Sequence, residues 1–120
     1  MMRFGIMYKQ GDIVLIPVPF TDLTSRKQRP VLIISNDSYN NFTEDIIVVA
    51  ITSKLKDLDY SVIIDSADLT EGILKITSSI RADKVYTLAK NIVVKKFGQV
   101  KPEILEDVRT KINVLINNLE

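Results

Sequence analysis

The chain has 120 residues, 46% of them hydrophobic and 26% charged, with 16 Lys and Arg against 15 Asp and Glu for a net charge of +1. That length suits one domain over residues 1–120 with a core that needs no staples, and near-neutrality excludes a global field that would gather nucleic acid, so any anion site must be local. Cys and His are both absent, which excludes disulfides, thiolate chemistry and thiolate zinc, and removes the commonest metal ligand and general base. Chemistry would fall to Arg, Lys, Asp, Glu, Ser, Thr or Tyr, with no metal and no cofactor expected. No run approaches the ~20 apolar residues of a membrane span, and the basic-then-apolar order of a signal peptide is missing. The expectation is a cytoplasmic protein without a membrane partner.

In chain order, residues 1–8 read as an untidy leader, and Gln10-Gly11-Asp12 is turn chemistry ahead of a first strand, Ile13-Val14-Leu15-Ile16. Pro17 and Pro19 end that strand or make it an edge, and residues 20–28 form a polar loop. A second strand enters through Arg29-Pro30 and runs Val31-Leu32-Ile33-Ile34, with Pro30 at the first strand position and Arg29 held extended before it. Residues 37–45 make a second loop with room for a helical turn. Ile46-Ile47-Val48-Val49-Ala50-Ile51 is the most hydrophobic run and predicts a central strand buried on both faces, ending at Thr52-Ser53-Lys54.

Residues 60–65 predict a further strand and 66–72 a loop. From Ile73 the residues alternate, with Leu74, Ile76, Ser78 and Ile80 on one face and Lys75, Thr77, Ser79, Arg81 and Asp83 on the other. Residues 85–88 extend the sheet, 92–97 form a last short strand or turn, and Gly98 breaks it. Pro102 then opens a helix over about 102–119, whose Ile104, Leu105, Val108, Ile112, Leu115, Ile116 and Leu119 span an arc of about 120° with Val114 outside it. The class is mostly β (α+β), a small antiparallel barrel of about five to seven strands with a C-terminal helix.

Three places carry candidate chemistry: Arg29 at a strand start, Thr52 at a strand end, and the Arg81/Asp83 pair on a polar face. Guanidinium groups hold phosphate bidentately and stabilise charge growing on it, a Thr hydroxyl donates to a phosphate oxygen, and an Asp beside an Arg is a weakened base. Arg26, Lys27 and Gln28 on one side, and Ser53 and Lys54 on the other, add polar contacts for such an anion. A solvated basic turn, a structural Thr and a surface salt bridge account for the same residues equally well.

The combination Gly11-Asp12-Ile13-Val14 with Arg29-Pro30-Val31-Leu32-Ile33-Ile34-Ser35-Asn36-Asp37, followed by Thr52-Ser53 and Ser79-Ile80-Arg81-Ala82-Asp83, resembles the PemK/MazF family of bacterial toxin endoribonucleases. The resemblance runs from Gly11 through the terminal helix. It implies an SH3-like barrel, a homodimer, metal-free cleavage of single-stranded RNA, and neutralisation by a cognate antitoxin. By position, Arg29 and Thr52 correspond to the family's catalytic Arg and Thr, and Arg81 and Asp83 to an Arg-x-Asp pair that some members use. Two departures stand out: no early-loop His is present, and Val14 stands where a Trp is frequent.

The implied chemistry is attack of an RNA 2′-hydroxyl on the adjacent phosphate. The flanking loops would grip the backbone, and Phe20, Tyr39 or Phe42 would stack a base. Two rivals predict no cleavage. One is a toxin of the same barrel that binds a protein such as DNA gyrase, and the other a plain nucleic-acid- or peptide-binding barrel.

Overall fold

Runs of β-branched residues that are apolar at consecutive positions can be satisfied only in a strand covered on both faces. Three such strands lie side by side here: β1 (Asp12–Pro17), β2 (Gln28–Ile33) and β3 (Asp45–Thr52). The computed structural model describes residues 7–18, 27–55 and 59–118. The remaining elements are a short helix α1 (Asp37–Phe42), strands β4 (Ser61–Ile64), β5 (Leu69–Glu71), β6 (Ser78–Ala89) and β7 (Lys95–Val100), and helix α2 (Pro102–Ile116). The strands form one antiparallel sheet in the order β4-β6-β3-β2-β1-β7-β5, curled into a half-barrel with α2 at the end of the chain.

Alternation along β1, β2 and β3 feeds two cores. Ile13, Leu32, Val49 and Ile51 join Ile80, Ala82 and the α2 residues Ile104 and Val108 on one face. Val14, Ile16, Val31, Ile33, Ile46 and Val48 join Leu88 on the other, where Tyr8, Val18, Ile92 and Val93 pack against them. Tyr8 is thus part of the packed structure rather than of a leader, because its ring helps close the second core.

The motif residues turn out to be fasteners. Gly11 sits at φ +93°, open to Gly at no steric cost, and its N–H donates to Ile33 O at 2.8 Å. Asp12 is 1% exposed and accepts from Lys9 N at 2.9 Å and Gln99 Nε2 at 3.0 Å, with Lys96 Nζ at 3.4 Å. Ser35 Oγ donates to Asn40 Oδ1 at 2.5 Å and accepts from Ile47 N at 2.9 Å. Asn36 caps α1 by accepting from Tyr39 N, while Asp37 accepts from Gln10 N.

Four expectations are corrected. Pro30 is the third residue of β2, not the first. It is tolerated there because β2 at that point pairs only with β1, its pairing with β3 starting at Val31↔Ala50. The alternating stretch from Ile73 is not strand until Ser78, and Ile73 and Ile76 are exposed. Residues 69–71 of the expected loop instead pair with β7 as β5. Gly98 lies inside β7: a Cβ there would stand 2.5 Å from Glu71 O, so the glycine marks close backbone approach rather than a break.

Helix α2 begins at Pro102 as expected, with Ile104 and Val108 buried, but ends at Ile116. Leu115 and Ile116 are exposed, and Leu119 lies outside the described residues. Hydrophobic period fixes which face of a helix is apolar, not how far a covering surface extends.

Ser35→Ala should cost about 1–3 kcal/mol in urea unfolding, because it strands a backbone N–H and a buried amide. Ser79→Ala should be neutral or stabilising, since the Ser79 hydroxyl is buried without a hydrogen-bond partner among the described residues.

Candidate active site

Register sets the site. Ladder pairs put Val14, Val31, Ala50, Arg81 and Ser61 in one row across β1, β2, β3, β6 and β4, and directly opposed residues share a face. Two residues further along β2 and β3 stand Arg29 and Thr52, which would be the next same-face pair if the ladder continued. The ladder itself stops at Val31↔Ala50, and a cleft of about 420 Å³ opens at this end. Arg29, Thr52 and Lys54 line it, together with the apolar Ile16, Val31 and Ala50 and the ring of Tyr86.

Thr52 is half-buried, and its Oγ1 accepts from Lys54 N at 3.1 Å. That bond fixes the hydroxyl and leaves its proton available for donation towards the cleft. Among the described residues neither Arg29 nor Lys54 makes an ion pair, whereas Lys96 is engaged by Asp12 and Glu71. Both cations on the cleft are therefore without an ion-pair partner among the described residues.

Arg81 lies in the adjoining row of the same face. Its Nε donates to Asp83 Oδ1 at 3.0 Å and its terminal nitrogen to Asp83 Oδ2 at 2.9 Å. This fork holds the Asp83 carboxyl below its ordinary range and raises Arg81 above its own, the hydrogen bonds being the largest cause, with a smaller contribution to Arg81 from the Tyr86 phenol. Both carboxylate oxygens are committed, so the pair presents an oriented cation more readily than a base.

The structure therefore brings Arg29, Thr52 and Lys54 to one cleft, with Arg81 and Asp83 beside it on the same side of the sheet. Lys27 and Gln28 are exposed at the entry to β2, and Ser53 is exposed beyond β3. Phe20 and Arg26 lie outside the described residues. Tyr39 and Phe42 belong to α1, before β3, whereas Thr52 closes that strand, a separation of roughly 24 Å along it. They are too far away to stack a base held at Thr52.

Tyr86 is the cleft residue that sequence reasoning missed. A single step on β3, from Val49 to Ala50, corresponds to four on β6, from Val85 to Arg81. Ala82, Asp83 and Lys84 are thus unmatched, and this bulge resets the alternation. Arg81 and Tyr86 are an odd number of residues apart, so strict alternation would put them on opposite faces, yet they oppose Ala50 and Val48 and share one. An aromatic just beyond an Arg-x-Asp segment was the available signal, but nothing in the sequence announces the bulge.

The fold is a curled antiparallel half-barrel with a C-terminal helix, and it carries an arginine, a threonine and a lysine on one cleft. The chain matches the family described as PemK-like, MazF-like toxin of type II toxin-antitoxin system over residues 9–116, and it belongs to that family. Among solved structures it is similar to an endoribonuclease in complex with its cognate antitoxin from a mycobacterial species, at 20% identity and TM-score 0.75, covering 93% of this chain and 99% of the other. A MazE–MazF structure from Deinococcus radiodurans is similar at 21% identity and TM-score 0.76, covering 92% and 97%. A second mycobacterial endoribonuclease is similar at 23% identity and TM-score 0.74, covering 93% of each chain. No curated protein matches in sequence at a significant level.

The Asp83 value predicts a pH signature. A carboxyl whose folded value lies below its ordinary 3.8 stabilises fully above that value and loses the contribution as pH falls through the lower folded one. Asp83→Asn should therefore be less stable than the parent near neutrality, and the gap should close in strong acid, as read by urea midpoints.

Proposed function

We propose that this toxin is a metal-independent endoribonuclease that cuts single-stranded RNA, with Arg29, Thr52 and Arg81 acting on one phosphate. The observation that carries the reading is the placement of Arg29 and Thr52 at matching positions where the β2–β3 ladder ends, both lining one cleft. The reaction needs no external nucleophile. The 2′-oxygen of one nucleotide forms a bond to its 3′-phosphorus while the bond to the 5′-oxygen of the next nucleotide breaks, leaving a 2′,3′-cyclic phosphate and a 5′-hydroxyl. One proton leaves the 2′-oxygen and one arrives at the 5′-oxygen.

Arg29 supplies bidentate hydrogen bonds to the non-bridging oxygens as their charge grows. Thr52 donates its proton to one of them, its oxygen being fixed by Lys54 N. Arg81 is the second cation, and Asp83 is the carboxylate that orients it. Lys54, Ser53, Lys27 and Gln28 hold the flanking backbone, and Arg26 and Phe20 are proposed as further substrate contacts. A cognate antitoxin as partner and a homodimer complete the proposal, in keeping with the family and with neighbours described as toxin–antitoxin complexes.

Arg29→Ala should lower the cleavage rate by roughly 10²- to 10³-fold while leaving the melting temperature and the oligomeric state unchanged. Thr52→Val should lower it by less. An RNA carrying 2′-deoxyribose only at the nucleotide 5′ to the cut should resist cleavage there. Persistent cutting of that substrate would rule out 2′-hydroxyl attack, and a protein-binding toxin would show no cleavage to lose.

A further inference from the structure

The phosphate chemistry uses only one end of the cleft. Arg29, Thr52 and Lys54 gather there, whereas Ile16, Val31 and Ala50 give the cleft an apolar floor and Tyr86 gives it an aromatic wall. A phosphate gains nothing from apolar surface and an aromatic ring, and a ribose gains less than a flat ring does. A nucleobase gains from both, since its faces are apolar and its π-system stacks on Tyr.

Dimensions agree. Tyr86 opposes Val48, four residues from Thr52 along β3, a strand distance of about 13 Å that its side chain shortens by leaning into the shared cleft. A volume of about 420 Å³ lies within the range of single small-ligand sites, ~300–1,000 Å³. Tyr86 is 37% exposed, so part of its surface is accessible from the cleft side. Ala50 is the smallest side chain in its row, between Val31 and Arg81, and leaves the space that a base would fill.

We propose that this cleft seats the nucleobase next to the scissile phosphate, with Tyr86 as its stacking wall, which makes Tyr86 a specificity-determining residue. The proposal rests on the RNA-cleaving reading above for the position of the phosphate. Positive groups at one end and an aromatic wall at the other match one nucleotide, charge to phosphate and ring to base. Because the bulge of β6 fixes Tyr86 relative to Arg81, base and phosphate are held in a set relation to each other.

The test uses a short mixed-sequence single strand with 2′-deoxyribose throughout, which cannot be cut, and reads binding by fluorescence anisotropy. Cleavage of the matching RNA is followed in parallel. Tyr86→Leu, which keeps bulk and loses the ring, should weaken binding by roughly 5- to 150-fold, and Tyr86→Phe should retain most of the affinity. Removing bases one at a time from the strand should reveal one position whose loss weakens the parent protein by a similar factor and leaves Tyr86→Leu unaffected.

Equal binding by Tyr86→Leu and the parent, an identical abasic profile for the two, or no binding by any form would overturn the proposal. A cleft that seats an apolar peptide side chain instead would give that unchanged result. Tyr86-dependent binding without cleavage of the RNA would sink the RNase reading and leave the base seat standing. Cleavage that is indifferent to Tyr86 in rate and sequence preference would do the reverse.

Discussion

Three residues of β6, Ala82, Asp83 and Lys84, have no counterpart on β3, and the candidate site is built around that mismatch. On one side of it β6 pairs with both β4 and β3, and on the other with β3 alone. Ala82 turns into the core beneath α2, with its N–H bonded to Tyr60 O at 2.9 Å, which pins the bulge. Asp83 is then free of the ladder and folds back to clasp Arg81 through both oxygens. The change of phase also swings Tyr86 onto the face of Arg81. A regular strand of the same sequence would separate the guanidinium from the aromatic ring.

Charge is apportioned in a similar way. A net charge of +1 gives no global field, so any attraction of an anion has to be local. Lys96 is held by Asp12 and Glu71, Arg81 by Asp83 and Arg109 by Glu106. Lys96 is thus a fastener between β1, β5 and β7. Arg29 and Lys54 have no such partner among the described residues and both face the cleft.

Much of this was legible in the residues. The doubly apolar runs marked β1, β2 and β3, and Pro102 marked the start of α2, because both signals are local. The meeting of Arg29 and Thr52 on one cleft was not legible: it depends on a register set by which turns and bulges lie between the strands. Gly98 misled because a glycine that admits a neighbouring backbone looks in sequence like one that ends a strand. Tyr86 was hidden by the odd spacing that the bulge converts to a shared face. Ser35, Asn36 and Asp37 carried part of the family resemblance, but in the structure they fasten α1 and the start of β1, away from the residues that line the cleft.

The central claim is that one guanidinium, one hydroxyl and a second, carboxylate-oriented guanidinium suffice to turn an RNA strand on itself. End-group analysis of a long RNA incubated with the pure protein in the presence of a strong chelator tests it most directly. The account predicts undiminished cutting, with 2′,3′-cyclic phosphate on one new end and 5′-hydroxyl on the other. New 5′-phosphate ends, or cutting that appears only when a divalent metal is supplied, would contradict it.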